Sequence, residues 1–181
     1  MNRYFFPADR KIIIPGDFTQ QTTTPATTDL NYISHYYGGY NYCIAIDTTT
    51  GYVLPNCTGY CWGRWRGILG AYHNLSTGNA TNWYGNTSDG YSRGTTAALG
   101  AVACWSGGTD GAGHVAIVEE ITSSGILCSE SAYGSYTFRL NTYPVAMTKS
   151  GYSFQGFIYL PGLTYDDIIL NRRRRLKIKV V

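Results

Sequence analysis

The sequence predicts an α+β fold, in which one helix packs on an antiparallel sheet of about five to six strands that follow it in the chain. Residues 100–133 read GAVACWSGGTDGAGHVAIVEEITSSGILCSESAY. They hold three short apolar runs (101–105, 114–121 and 126–131), separated by the Gly, Ser and Thr that punctuate an antiparallel meander. Upstream, LPNCTGYCWGRWR at residues 54–66 turns to helical spacing directly after Pro55 and Asn56. With 181 residues and 44% of them hydrophobic, the chain can bury one core and is not disordered throughout.

Residues 1–30 combine apolar patches with QQTTTPATT at 20–28, a linker-like stretch that reads as an N-terminal arm or an extended lead-in strand. The start has an apolar run of only three residues, Ile12 to Ile14, and is read as lacking an export signal. No apolar stretch approaches the roughly 18 residues that cross a bilayer, so no membrane partner is expected. Residues 31–53 are rich in Tyr and Gly and read as irregular loops around 43–46. His35 sits there among tyrosines with no partner pattern, which assigns it to surface or packing. Asp47 is the only acid between Asp29 and Asp89. A calcium loop needs several carboxylates at alternate positions, so none is expected in this stretch.

The helix comes next. Asn56 suits an N-cap, and Tyr60, Trp62, Trp65, Ile68 and Leu69 form an apolar repeat, with Arg64 and Arg66 on the polar side. Gly70 ends it. His73 lies just beyond, where hydrogen bonding near a helix C-terminus explains it. Residues 72–94, rich in Asn, Thr, Ser and Gly, read as a loop, and 95–99 as a helical turn before the meander. Two further strands are expected at 136–140 and 154–160, the second closing the sheet before Pro161. The last residues change character: LKIKV at 176–180 alternates apolar and basic, which is strand periodicity. The expected division is an arm at 1–30, a domain at 31–162 and a basic extension at 163–181. That extension reads as a docking strand or the start of a further domain.

The net charge of +3 is unevenly placed, because six of the 14 basic residues fall in 172–179. Residues 1–171 carry eight basic and 11 acidic groups, so the body is mildly acidic. The four arginines from Arg172 have no second basic patch beside them, and a docking role is favoured over nucleic-acid binding. The 17 tyrosines and four tryptophans suit contact with sugars or peptides, or equally a β-rich core. There are five cysteines, Cys43, Cys57, Cys61, Cys104 and Cys128. An odd count without an export signal argues against a disulfide framework, and the spacing supports no metal site. No cofactor is called for.

A thiol must become a thiolate to attack an acyl carbon, and a helix N-terminus and a neighbouring histidine both favour that form. Cys57 follows the Pro55–Asn56 cap, and His114 opens the most convincing strand. Glu130, alone among small and apolar neighbours, can accept the other ring N–H and fix the tautomer. His114 and Glu130 share a sheet face only if the intervening hairpin has an odd-length loop or contains a bulge. A turn over 122–124, with Ile121 opposite Gly125, meets that condition and puts Ala132 across from His114 with Glu130 diagonal to it. Cys61, one helical turn on, is the alternative nucleophile. Cys57 is favoured because it lies nearer the helix start. Backbone N–H groups near Cys57, with the Asn56 side chain, would form an oxyanion hole.

These segments, LPNCTGYCWGRW, ALGAVACW, GHVAIVEEI, ILCSESAY and FQGFIYLP, resemble in order the CHAP family over residues 53–161. CHAP proteins are cysteine, histidine-dependent amidohydrolases/peptidases of the papain-like, NlpC/P60-related group that cleave peptidoglycan. The particular wording resembles bacteriophage versions, found in endolysins and in virion-associated lysins. The resemblance implies a papain-like fold, a nucleophile at Cys57 within Cys-x-x-Tyr, a base at His114 and an acid at Glu130. It also implies amide hydrolysis in peptidoglycan, either at the N-acetylmuramoyl-L-alanine bond or within the peptide stem. The family often has Asn two residues after its acid, where this chain has Ala132. Trp62, Trp83, Tyr84, Trp105 and Tyr133 are candidates for the substrate groove. The expected setting is a lysin of the phage particle, bound to other tail proteins through the arm and through Arg172 to Val181, or made in the host cytoplasm before release. The alternatives are a host-lysis endolysin and a non-catalytic, structural or wall-binding tail component.

Overall fold

The computed structural model describes residues 18–26, 29–33, 35–37, 40–44, 56–133 and 138–162. In chain order the elements are helix α1 (Leu30–Ile33), strands β1 (His35–Tyr37) and β2 (Tyr40–Ile44), and helix α2 (Cys57–Leu69). Two short 3-10 turns, Ala80–Asn82 and Thr87–Asp89, precede β3 (Arg93–Gly94), β4 (Val102–Gly107), β5 (His114–Ile121), β6 (Ile126–Glu130), β7 (Arg139–Tyr143) and β8 (Tyr152–Ile158). The last six form one antiparallel sheet in the order β3-β8-β4-β5-β6-β7. The fold is α+β, with the helix ahead of the sheet in the chain. Segments 1–17 and 163–181 lie outside the described residues, and so does the LKIKV strand expected at 176–180.

Helix α2 begins and ends on local chemistry. The Asn56 side chain accepts from the Gly59 N–H at 2.7 Å, and Gly70, with φ 62°, closes the helix by donating its N–H to the Arg66 carbonyl. Tyr60, Cys61, Trp62 and Trp65 face Val102, Cys104, Val115 and Ile117 of the sheet and form one apolar cluster with them. The opposite sheet face carries a second cluster of Ala103, Trp105, Ala116, Val118, Cys128, Tyr143, Met147, Phe157 and Tyr159. Both faces are covered, so Val102 to Trp105 of β4 and Val115 to Val118 of β5 read as unbroken apolar runs rather than alternating ones.

Several expectations need correction. The Tyr-rich stretch at 31–53 contains α1 and the β1–β2 pair, because tyrosine suits a pleated surface as well as a loop. Residues 95–99 form no helix; the Ala101 N–H bonds the Ala98 carbonyl in a turn. The strand expected at 136–140 runs from Arg139 to Tyr143, with 136–137 outside the described residues. Arg64 is not on a solvent face: it is buried and makes a two-point ion pair with Glu119.

The β5–β6 hairpin reaches the expected alignment by another route. Its turn spans four residues, 122–125, with Ile121 opposite Ile126 instead of Gly125. A bulge between Val118 and Glu120 then moves the frame by one, giving Val118 opposite Cys128 and Ile117 opposite Ser129. Continued to the strand end, that frame sets Ala132 across from His114 and Glu130 diagonal to it, on the same face.

Candidate active site

Three elements meet at the start of β5. Cys57 is the first residue of α2, half-buried, and its thiol lies close enough to His114 to act on the charge of the ring. His114 Nε2 lies 2.8 Å from Glu130 Oε2 and donates to it, which leaves Nδ1 for the thiol. His114 and Glu130 are 6% and 2% exposed, so the contact is shielded from solvent. The structure thus brings Cys57, His114 and Glu130 into one chain of side chains.

The backbone just before His114 is held in a narrow slot. Gly113 has φ 79°, its N–H bonds the Gly107 carbonyl, and an added Cβ would lie 2.6 Å from the Thr81 Cα and the Trp105 carbonyl oxygen. Only glycine fits there without strain. On the ring side, Trp105 and Tyr152 stand 5.8 and 6.0 Å from the imidazole, centroid to centroid.

Burial by itself would lower the His114 pKa, but hydrogen bonds and charge from Cys57 and Glu130 outweigh it and raise the value to about 9. Burial would raise that of Glu130, yet His114, Tyr143 and Lys149 bring it down to about 2. The site therefore favours an imidazolium held by an ionised carboxylate at neutral pH.

Glu130 has two partners the sequence reading missed. Tyr143 Oη donates to Oε2 at 2.7 Å and the Asn141 side-chain amide donates to Oε1. Both lie on β7, where they alternate with Leu140 and Thr142 and so share the face of Glu130 across the β6–β7 ladder. That alternation was the available signal, and placing the strand at 136–140 hid it.

Asn56 serves as the helix cap: its Oδ1 accepts from both the Gly59 N–H and the Thr58 hydroxyl. The Cys57 and Thr58 N–H groups precede the first intrahelical bond and stand at the positive end of the helix, beside the thiol. Cys61 lies in the core with no exposed surface, and burial pushes its thiol well up. It is thus closed to an incoming acyl group. Trp62, Trp83 and Trp105 are likewise core residues, not groove residues. Trp83 and Trp105 bury their indole N–H groups on the Gly78 and Met147 carbonyls, at 2.8 and 2.7 Å. Tyr84 is half-buried, with its ring lying where a Gly156 side chain would be. Tyr133 is 87% exposed. His73 packs beneath Trp62 and Trp65, accepting from the Leu75 N–H and donating Nε2–H to the Trp62 carbonyl.

The CHAP domain family model matches residues 47–132, the span from just ahead of the Cys57 helix to just past Glu130. Over that span the chain is similar to a CHAP domain. No curated protein sequence matches the chain significantly. Among solved structures, an N-acetylmuramoyl-L-alanine amidase from Staphylococcus aureus is similar at 27% identity and a TM-score of 0.45, over 56% of this chain and 30% of that one. Ly7917, solved with the hydrolysing product of MDP, is similar at 22% identity and a TM-score of 0.44, over 60% of this chain and 54% of that one. In both cases the likeness spans less than two thirds of the solved chain. The CHAP match stops short of β7 and β8, which complete the sheet around the site.

Proposed function

We propose that this CHAP-like domain hydrolyses an amide bond of peptidoglycan with Cys57 as nucleophile, His114 as base and then acid, and Glu130 as the residue that orients the imidazole. The observation that carries this reading is that His114 hydrogen-bonds the Glu130 carboxylate and stands within electrostatic reach of the Cys57 thiol at the start of α2.

In the reaction, His114 already holds, as an imidazolium, the proton taken from the Cys57 thiol, and Cys57 Sγ attacks the carbonyl carbon. The oxyanion develops beside the Cys57 and Thr58 N–H groups, which need no reorganisation to receive it. The imidazolium then protonates the leaving amine as the C–N bond breaks, leaving a thioester on Cys57. Water, deprotonated by His114, attacks the thioester, and the acid product leaves with the thiol restored. The bond is either the N-acetylmuramoyl-L-alanine amide or one within the peptide stem. The phage-like wording of the segments and the basic alternation of residues 176–180 support a lysin of the phage particle that docks on other tail proteins and acts on the bacterial wall.

The test is turbidity loss of purified Gram-positive cell walls with wild type, Cys57→Ala and Cys61→Ala, followed by mass analysis of the released fragments. Lysis by wild type and Cys61→Ala but not by Cys57→Ala is expected, and the fragments name the bond. Absence of lysis by wild type on every wall tried would sink the catalytic reading.

A further inference from the structure

We propose that Lys149, Tyr143 and Asn141 form a directed positioning relay that fixes the Glu130 carboxylate and, through it, the His114 ring. The inference rests on the catalytic reading of Cys57, His114 and Glu130 and extends it to residues beyond the CHAP match.

The direction of each bond follows from donor inventory. The Lys149 ammonium has only donors, so at 3.1 Å from Tyr143 Oη it donates and the tyrosine oxygen accepts. That leaves the single hydroxyl proton of Tyr143 for Glu130 Oε2 at 2.7 Å. The Asn141 amide donates to the other carboxylate oxygen, Oε1. With His114 Nε2–H on Oε2, the carboxylate accepts from three side chains on two strands and cannot turn about its last bond without losing one of them. Lys149 is itself held between two rings, 5.4 Å from the centre of Tyr143 and 5.3 Å from that of Tyr152. Tyr152 is the same ring that stands beside His114. Without Lys149, the Tyr143 hydroxyl would be free to act as acceptor or to turn away. The ammonium therefore gives the relay its polarity. Ala132, opposite His114 in the β5–β6 frame, offers no polar side chain, so the polar support described for Glu130 comes from β7 and the segment after it.

Tyr143→Phe, Lys149→Met and Lys149→Arg test this through kcat and KM on a soluble muropeptide and through the proton NMR signal of His114 Nε2–H. Expected are a fall in kcat of about tenfold for Tyr143→Phe and Lys149→Met with KM little changed, and recovery in Lys149→Arg. In the two impaired variants the His114 Nε2–H signal should broaden or move upfield, while wild type and Lys149→Arg keep it. An unaltered His114 signal in both Tyr143→Phe and Lys149→Met would overturn the relay, whether kcat stays normal or falls only in step with melting temperature. If wild type proves inactive on every substrate, the catalytic reading fails, and the His114 signal still decides the relay alone.

Discussion

Arg64 on helix α2 and Glu119 on β5 meet in a two-point ion pair, with Nε to Oε1 and one terminal guanidinium nitrogen to Oε2 both at 2.9 Å. The pair sits at the β5 bulge. Ser129 also donates to Glu119, and Tyr60 donates to Ser129, so helix, both strands of the hairpin and the carboxylate are tied together. The N-terminal segment joins in: the Gln21 N–H bonds Glu119, and Arg64 donates to the Thr19 carbonyl.

Removing one partner leaves a buried charge uncompensated. Glu119→Ala should therefore cost about 3–5 kcal/mol of stability, read from urea denaturation. The bulge that sets the β5–β6 frame would also loosen, so His114 and Glu130 should lose their contact. A loss below 1 kcal/mol would show that the pair is solvated in solution.

Gly113→Ala should be damaging despite its single added methyl. At φ 79° with backbone of Thr81 and Trp105 in the way, the chain must shift at the residue next to His114. A cost of about 1–3 kcal/mol is expected, along with loss of wall hydrolysis out of proportion to it. Gly111→Ala is the control, since it shares a positive φ but has open space around it. Equal activity loss in both variants would argue against a specific effect on His114.

The pH dependence of stability follows from the His114–Glu130 pair. His114 is raised from 6.5 to about 9, so its contribution is complete below 6.5 and is lost as pH rises through 9. Glu130 is lowered from 4.5 to about 2, so its contribution is present above 4.5 and is lost as pH falls through 2. The destabilisation caused by Glu130→Gln should accordingly be largest between pH 4.5 and 6.5 and shrink on either side. Melting curves across that range check it. A difference that stays constant with pH would contradict the pairing.

Wall hydrolysis should decline on the alkaline side with a midpoint near 9, as the imidazolium that protonates the leaving amine loses its own proton. Initial rates measured from neutral pH upward test this. A midpoint close to the unshifted histidine value would mean that Cys57 and Glu130 do not hold the ring charged.

Much of the site was legible because its signals are short in range. Asn56 and Gly70 mark the ends of α2 through backbone capping, and Gly113 with the apolar run after it marks the start of β5. Each depends on a few neighbouring residues, so the sequence by itself placed Cys57 at a helix start and His114 at a strand start. It also stated the condition, an odd turn or a bulge, under which His114 and Glu130 share a face. Which of the two applies was decided only in three dimensions, where the pairing of Glu119 with Arg64 accompanies a bulge in place of a three-residue turn. The same is true of Trp62, Trp83 and Trp105: an indole suits a groove or a core equally, and only the packing of α2, the loops and both sheet faces shows that these lie inside. Asn141 and Tyr143 reach Glu130, and Lys149 reaches Tyr143, because β7 pairs with β6 in one register, Glu130 opposite Arg139. That register is set by the burial of Tyr143 and the neighbouring strands and not by the residues of β7 alone, so the support of the site belongs to the tertiary structure.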